Sequence, residues 1–328
     1  MIEQPDNEKP RDVWSDPKLT PPTKLELPEK KKRKCKIIVN IGLPGCGKTT
    51  ETRELMKTDG NLMRVNRDDL RNMLFSRWKG RKESVVTEVE AQAIRSAIQH
   101  GYDVVVDDTN LNPSTRAKWN TLANELGVPA VEKNFEVPIE VCIERDQQRI
   151  HTRAHVGRGV IENMALTYGL IPKLDPEQKV VIFDMDGTMA DQTVRRQYIE
   201  GEHKDYELYY SYVNVLGDTP IQTVIDWCNA CYADKLIVLV VSGRPADRGS
   251  DATVDWLHMY NVNYHHLFMR PSGDFRDDDI IKQEILDKLL LWINKEQILF
   301  AVDDRPRIIR MWRKNGIKCY DVGEGVEF

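Results

Sequence analysis

The sequence predicts an α/β protein of two domains, each a parallel sheet with helices on both faces. Three observations carry this. Short apolar runs alternate with longer helical patterns along nearly the whole chain, the signature of a parallel sheet covered by helices. One such run, Ile37 to Ile41, leads into the glycine-rich string GLPGCGKT, Gly42 to Thr49. Another, Val180-Val181-Ile182, leads into Phe183-Asp184-Met185-Asp186-Gly187-Thr188. Two different chemical motifs, each closing a strand, mark the starts of two sheets.

In chain order, residues 1–35 read as a proline-rich tail ending in Lys30-Lys31-Lys32-Arg33-Lys34. Such a run reads as a solvated flank, with a nuclear-import signal or a nucleic-acid arm as the sharper options. The first domain is expected over 36–172. Its strands are Cys35–Ile41, Leu62–Val65, Val104–Val106 and Val128–Phe135, and its helices Lys48–Met56, Arg67–Phe75, Ser84–His100, Pro113–Leu126 and Pro138–Arg149. Pro113 and Pro138 suit a first helical turn. The two prolines of Gly169–Lys179 set a boundary, and a second domain follows over 173–328. There the strands are Lys179–Phe183, Leu236–Val241, His265–Met269, Ile298–Val302 and Ile317–Val322. The helices are Pro220–Tyr232, Ser250–Tyr260, Ile280–Asn294 and Arg305–Asn315. Residues 189–219, rich in Tyr and His, read as neither helix nor strand.

Of the 328 residues, 41% are apolar and 30% charged, and no stretch approaches the roughly 20 apolar residues of a membrane span. With a polar N-terminus lacking a signal core, an intracellular, cytoplasmic protein is expected. The net charge of −5 argues against coating nucleic acid, so any such binding must be local. Cys228 and Cys231 form a lone CxxC, read as two small apolar residues one helical turn apart rather than half a zinc site.

The glycine-rich string makes a phosphate cradle. Gly42, Gly45 and Gly47 let backbone N–H groups, with that of Cys46, point inward at the entrance to a helix, whose dipole favours an anion. Lys48 reaches the β/γ-phosphates, Thr49 ligates Mg²⁺, and Thr50 follows on the same turn. The chain therefore binds ATP or another nucleoside triphosphate. Two acidic clusters also close strands, where α/β sheets bind ligands. In Asn66-Arg67-Asp68-Asp69, Asp68 or Asp69 could take a proton from an attacking hydroxyl or cap the helix. In Asp107-Asp108-Thr109-Asn110 the acids could hold Mg²⁺ or a substrate hydroxyl, or serve only turn and cap chemistry. Arg145, Arg149, Arg153 and Arg158 follow, the first two one turn apart. They read either as a clamp on a transferring phosphoryl group or as a solvated face.

In the second domain, Asp184 and Asp186 leave the strand on the same side, so one can attack phosphorus and the other protonate the leaving alcohol. Mg²⁺ is needed so that an anionic carboxylate can approach a phosphate. Ser242 and Lys282 can hold the phosphate, and Asp303-Asp304 can complete the metal shell.

The order DxDGT, Ser, Lys, paired Asp resembles the haloacid-dehalogenase-type phosphohydrolases. The whole chain from residue 36 resembles the phage-type polynucleotide kinase–phosphatase family, in VNRDDLR, DDTNLNPSTR, FEVPIEVCIERDQQR, VIFDMDGTMA, VVSGR, RDDDIIKQEI and AVDDRPRIIRMWRKNGIKCY, and in the kinase-first order. The resemblance implies a P-loop kinase fold followed by a haloacid-dehalogenase-like Rossmannoid fold. It implies Asp68 as general base for a 5′-hydroxyl, Arg71 on the acceptor-side phosphate, Asp108 orienting the site, and Arg149 with Arg145 on the donor phosphates. Asp184 would be the nucleophile and Asp186 the acid–base; Ser242, Arg244 and Lys282 would hold phosphate; Asp184, Asp186, Asp303 and Asp304 would serve the metal. The implied reactions are 5′-OH phosphorylation and 3′-phosphate (or 2′,3′-cyclic phosphate) removal on RNA or DNA ends, upstream of a ligase, by a homo-oligomer such as a tetramer in an infected bacterial cell. A kinase–phosphatase acting on a small metabolite is the alternative, and a scaffold with one dead domain the third reading.

Overall fold

The structure, a computed structural model, describes residues 34–75, 83–200 and 202–325. The N-terminal tail and its basic run up to Arg33 lie outside the described residues. The first sheet and its helices run β1 (Ile37–Ile41), α1 (Lys48–Thr58), β2 (Leu62–Val65), α2 (Arg67–Leu74), α3 (Glu83–Gln99), β3 (Asp103–Val106), α4 (Pro113–Leu126), β4 (Ala130–Asn134), α5 (Ile139–Gln147) and α6 (Arg158–Thr167). The strand order is β2-β3-β1-β4, all parallel. β1 and β3 are central, which is why Ile37, Val39, Val104 and Val106 are buried and read as nearly continuous apolar runs.

The second domain runs β5 (Val180–Phe183), β6 (Ala190–Asp191), α7 (Thr193–Arg196), α8 (Tyr206–Tyr209), α9 (Tyr212–Leu216), β7 (Thr219–Pro220), α10 (Gln222–Ala233), β8 (Ile237–Pro245), α11 (Ala246–Met259), β9 (His266–Arg270), α12 (Asp278–Trp292), β10 (Ile298–Asp303), α13 (Pro306–Lys314) and β11 (Cys319–Asp321). Its five-stranded sheet, β11-β10-β5-β8-β9, is parallel throughout. β5 lies at the centre, so the chain leaves the middle of the sheet at Asp184. The expected α/β architecture is present in both halves.

The differences from expectation are local. Pro113 occupies the first turn of α4 as expected, whereas Pro138 is the residue before α5, which begins at Ile139. α11 starts four residues before Ser250, its Gly249 lying close to Arg244 and Met269. Residues 189–219 fold as the antiparallel β6–β7 pair around three short helices. Cys228 and Cys231 are buried free thiols on α10, and burial pushes the Cys228 thiol up to about 12. α6 was not expected at all. It packs against β9 and α11 of the second domain as well as α5 of the first.

One apolar core passes from Ile37 and Val104, through Ile161, Leu166 and Ile171, to Leu289 and Trp292. The segment between the sheets is fastened as well: Trp292 donates to the Pro172 carbonyl at 2.8 Å, and Gln297 to the Asp175 and Gln178 carbonyls at 3.0 Å. Among the described residues no helix is long and apolar enough to cross a membrane.

Candidate active sites

The glycines of the first motif are required by shape. Gly45 and Gly47 have φ of +81° and +101°, and a Cβ on Gly45 would sit 2.3 Å from the Cys142 carbonyl oxygen of α5. The loop is therefore clamped against α5 and cannot accept a side chain there. Lys48 is buried and donates to the carbonyls of Gly42 at 2.8 Å and Leu43 at 2.7 Å. Its Nζ also lies 3.4 Å from the buried Cys46 sulfur. Gly47 gives α1 no side-chain cap, so the first-turn amides suit anionic oxygens. Thr49, half-buried, and Thr50, exposed, stand on that turn.

The acidic cluster after β2 divides its labour. The cap of α2 is Asn66, whose side chain accepts from the Asp69 N–H at 3.0 Å. Asp69 pairs with Arg64, which also holds the buried Asp107. Asp68 is left with its carboxylate 77% exposed, against Arg71. Arg71 is itself shared with Glu83, as is Arg67. Asp108 accepts from the Arg67 N–H at 3.0 Å and from Asn66 at 3.2 Å. It faces Glu90, a residue the sequence reading missed. Burial first, and the Asp108 charge second, push the Glu90 carboxyl up to about 9, which favours a proton held between the two carboxyls at neutral pH.

Of the four arginines, Arg145 on α5 stands by the loop, and Arg149 lies just past the end of that helix. A Cβ on Gly47 would be 3.8 Å from Arg145 Nη1, and Arg149 is braced by the buried Asp146 at 2.6 Å. Arg153 reaches Asn72 at 3.5 Å. Arg158 is drawn the other way, to Glu162 at 3.0 Å and the His265 carbonyl at 3.1 Å, so it belongs to no clamp.

In the second domain Asp184 is 5% exposed, and Lys282 Nζ lies 2.8 Å from it and 2.7 Å from Asp303. Oxygens of Asp184, Asp303 and Asp304 all lie within 4.8 Å of one another. Three hard anionic oxygen donors in one spot fit Mg²⁺. Burial, then the charge of Asp303, hold the Asp304 carboxyl up at about 6. Gly187 makes the cluster possible: φ is +83°, and a Cβ there would fall 2.0 Å from Asp304 Oδ2.

Two expectations need correction here. The Asp186 carboxylate does not join the metal-type trio. Arg195 and Arg244 both grip its Oδ1, and both also pair with buried Asp218. Burial opposes ionisation of Asp186, but these two guanidiniums outweigh it and hold its carboxyl well below the usual range. Arg244, expected on the phosphate, is wholly buried and spent on Asp186, Asp218 and Thr253. It stands where β8 carries a register shift between Ser242 and Pro245. Ser242 is buried, accepting from the Arg244 N–H at 3.2 Å. Arg270 and Arg305, both paired with Asp278, line the cleft instead. That cleft holds about 580 Å³ and is walled also by Tyr206, Tyr210 and Phe275.

A phosphate-cradling loop at the end of a central strand, and a buried aspartate site with a matched lysine and metal-type trio, define a P-loop kinase domain joined to a haloacid-dehalogenase-type phosphatase domain. The family comparisons agree. Residues 178–327 match the phosphatase domain of polynucleotide kinase PNKP, and residues 37–171 match an AAA domain. A curated relative, a candidate bifunctional polynucleotide kinase/RNA ligase of Autographa californica nuclear polyhedrosis virus, is 26% identical over 88% of this chain. The chain spans 42% of that relative's length. The L-seryl-tRNA(Sec) kinase of Methanococcus maripaludis is 25% identical over 50% of this chain and 62% of its own. Among solved structures, a chain of the Pnkp1/Rnl/Hen1 RNA repair complex is 25% identical, with 91% of this chain and 99% of that one covered and a TM-score of 0.39.

Proposed function

We propose that this chain heals nucleic-acid ends: it transfers the γ-phosphate of ATP or another NTP to 5′-OH ends of RNA or DNA and removes 3′-phosphates. The observation that carries the reading is the pairing, on one chain, of a phosphate-loop domain with a phosphatase domain of the polynucleotide kinase family. The two activities give the two sides of one break the ends a ligase joins, and the baculovirus relative's printed name pairs a polynucleotide kinase with an RNA ligase. Assembly into a homo-oligomer is part of the same proposal.

In the kinase, Gly42 to Thr50 seat the donor phosphates, with Lys48 swinging from its carbonyl partners to phosphate oxygens. Asp68, exposed at the mouth, takes the proton of the 5′-hydroxyl. Arg71 meets the acceptor phosphate, and Asp108, fixed by the Arg67 amide and Glu90, orients Asn66 and α2. Arg145 and Arg149 neutralise charge on the transferring group. The Thr49 hydroxyl would hold Mg²⁺.

In the phosphatase, Asp184 attacks phosphorus; the P–O bond to the sugar breaks, and the leaving oxygen takes a proton from Asp186. Water then attacks the aspartyl-phosphate, giving its proton to Asp186 and releasing phosphate. Asp186 is ionised as it stands, the form the second step uses. An incoming phosphate anion raises its proton affinity for the first. Lys282 and Ser242 hold phosphate oxygens, and Arg244 and Arg195 position Asp186. Asp184, Asp303 and Asp304 would hold Mg²⁺, which supplies charge neutralisation between carboxylate and phosphate.

The test supplies labelled ATP with 5′-OH oligonucleotides and, separately, with free sugars and nucleosides. Release of phosphate from 3′-phosphate oligonucleotides is measured beside it. Asp184→Asn should abolish phosphate release and spare the kinase; Lys48→Ala or Asp68→Ala should do the reverse. Label confined to the small molecules, or loss of both activities in every variant, sinks the reading.

A further inference from the structure

The α5–α6 loop carries a chain of charges that the reaction as described does not use. Asp146 is 1% exposed. It accepts from Arg149 Nε at 2.9 Å and Nη2 at 2.6 Å, and from the backbone N–H of Val156 at 3.2 Å and Gly157 at 2.8 Å. His155 Nδ1 lies 2.9 Å from the same carboxylate and 3.0 Å from the Asp146 carbonyl. The other ring nitrogen of His155 meets both oxygens of Asp251 at 2.9 Å. Asp251 stands on α11, in the phosphatase domain. The loop is moulded to that helix. Gly159 donates its N–H to Ser250 Oγ at 2.8 Å, and a Cβ on Gly157, at φ +86°, would come within 3.0 Å of Ser250.

This arrangement fixes Arg149. A long arginine just past a helix end has many rotamers, and ordering it against a phosphate costs entropy. Here two of its nitrogens are tied to a carboxylate that two amides and an imidazole already immobilise. Nη1 makes no hydrogen bond among the described residues, which leaves it for an incoming oxygen. We propose that Asp146 and His155 are positioning residues that fasten the donor-clamping Arg149 to Asp251 of the phosphatase domain, so that the kinase reaction uses the phosphatase domain as part of its frame. The inference rests on the kinase reading above. Burial lowers the proton affinity of His155, but the hydrogen bonds to Asp251 and Asp146 outweigh it and raise the pKa, which favours the doubly donating imidazolium this bridge needs.

The experiment uses the full chain with His155→Ala, Asp251→Asn and the double variant. Steady-state kinase constants are measured for ATP and for a 5′-OH oligonucleotide, with 3′-phosphatase rates on the same preparations. A loss of about tenfold in kcat/KM for ATP is expected in each single variant, below the roughly hundredfold that a full ångström of misplacement can cost. The acceptor KM and the phosphatase rate should stay within about twofold, and the double variant should be little worse than His155→Ala, since both cut one chain. Unchanged ATP kinetics in both single variants overturns the proposal, as does a parallel fall of kinase and phosphatase. Calorimetric binding of a non-hydrolysable ATP analogue separates this inference from the choice of acceptor. Weaker binding in His155→Ala upholds the fastening even if oligonucleotides prove not to be phosphorylated, and unaltered binding with unaltered kinetics refutes it.

Discussion

Glu90→Gln should make the protein more stable at neutral pH, by an amount that grows with pH. Glu90 is fully buried on α3 with its carboxyl against Asp108 and with Arg67 at 3.4 Å. Its pKa rises from 4.5 to about 9 on folding, through burial first and Asp108 second. The folded pKa lies above the unfolded one. Between the two values the native state therefore holds a proton that the unfolded state has released, and unfolding is favoured as pH rises. The contribution of this group is fully present below about pH 4.5 and is lost as pH climbs toward about 9. Each pH unit is worth ~1.4 kcal/mol, so at pH 7 the cost is at most about 3 kcal/mol relative to a side chain that never ionises. Because the proton belongs to the Glu90–Asp108 pair, and because glutamine weakens the Arg67 contact, about 2 kcal/mol is the expected net gain. The glutamine amide supplies the hydrogen that Asp108 accepts. Calorimetric unfolding of wild type and variant at pH 5, 6, 7 and 8 reads the difference directly. It should widen by about 1 kcal/mol per pH unit. A difference that stays constant across that range would refute the shared proton.

Two further outcomes follow from the phosphatase domain. Gly187→Ala drives a methyl onto Asp304 Oδ2, at 2.0 Å from an ideal Cβ, in a left-handed backbone; 3′-phosphatase activity should fall at least about a hundredfold with the kinase unaltered, and retention of activity would contradict the geometry. Asp218→Asn leaves two buried guanidiniums sharing one carboxylate. It should cost about 3–5 kcal/mol in a thermal melt and take phosphatase activity with it, and an unchanged melt would show that the pair is not charge-balanced as described.

The strand-end motifs were legible because their chemistry is local. GLPGCGKT and DMDGT each need a strand before them and a tight turn after, and both show in consecutive residues. α4 was read to the residue from Pro113 to Leu126 because a proline opens it and Gly127, at φ +67°, closes it. What escaped depends on residues that meet only in the fold. Arg195 and Asp218 lie 23 positions apart in a segment of four- and five-residue helices, where no periodicity can build up. Asp218, together with Asp186, is also what holds Arg244 inward. Glu90 carries no signal of its own in the sequence, because only the fold brings Asp108 to it. α6 did leave a signal, Ile161, Ala165 and Leu166 at helical spacing, but the neighbouring arginines drew attention to a clamp or a solvated face instead. Asn66 shows the limit of choosing between two adjacent acids: the cap was a third residue, and that freed Asp68.

The charges of the phosphatase site show why a cation is needed and what Lys282 contributes. Six buried or half-buried acids converge there, Asp184, Asp186, Asp218, Asp278, Asp303 and Asp304, against five bases, Arg195, Arg244, Arg270, Lys282 and Arg305. With all of these groups ionised, the form the metal site uses, the balance is one negative charge, a poor seat for a phosphate anion. A bound divalent ion makes it one positive. Lys282→Met removes a cation that touches two of the three acids in the trio and leaves them to repel in a buried site, at about 3–5 kcal/mol. That corresponds to a fall in melting temperature of about 10 °C for a domain of this size. The same change makes the trio a stronger magnet for the ion, so millimolar Mg²⁺ should recover part of the loss by mass action and do less for the wild type. Thermal melts of both proteins with and without Mg²⁺ decide the matter. If Mg²⁺ shifts the two equally, Lys282 and the ion do not share the trio's charge, and the assignment of Asp184, Asp303 and Asp304 as the metal's donors falls with it.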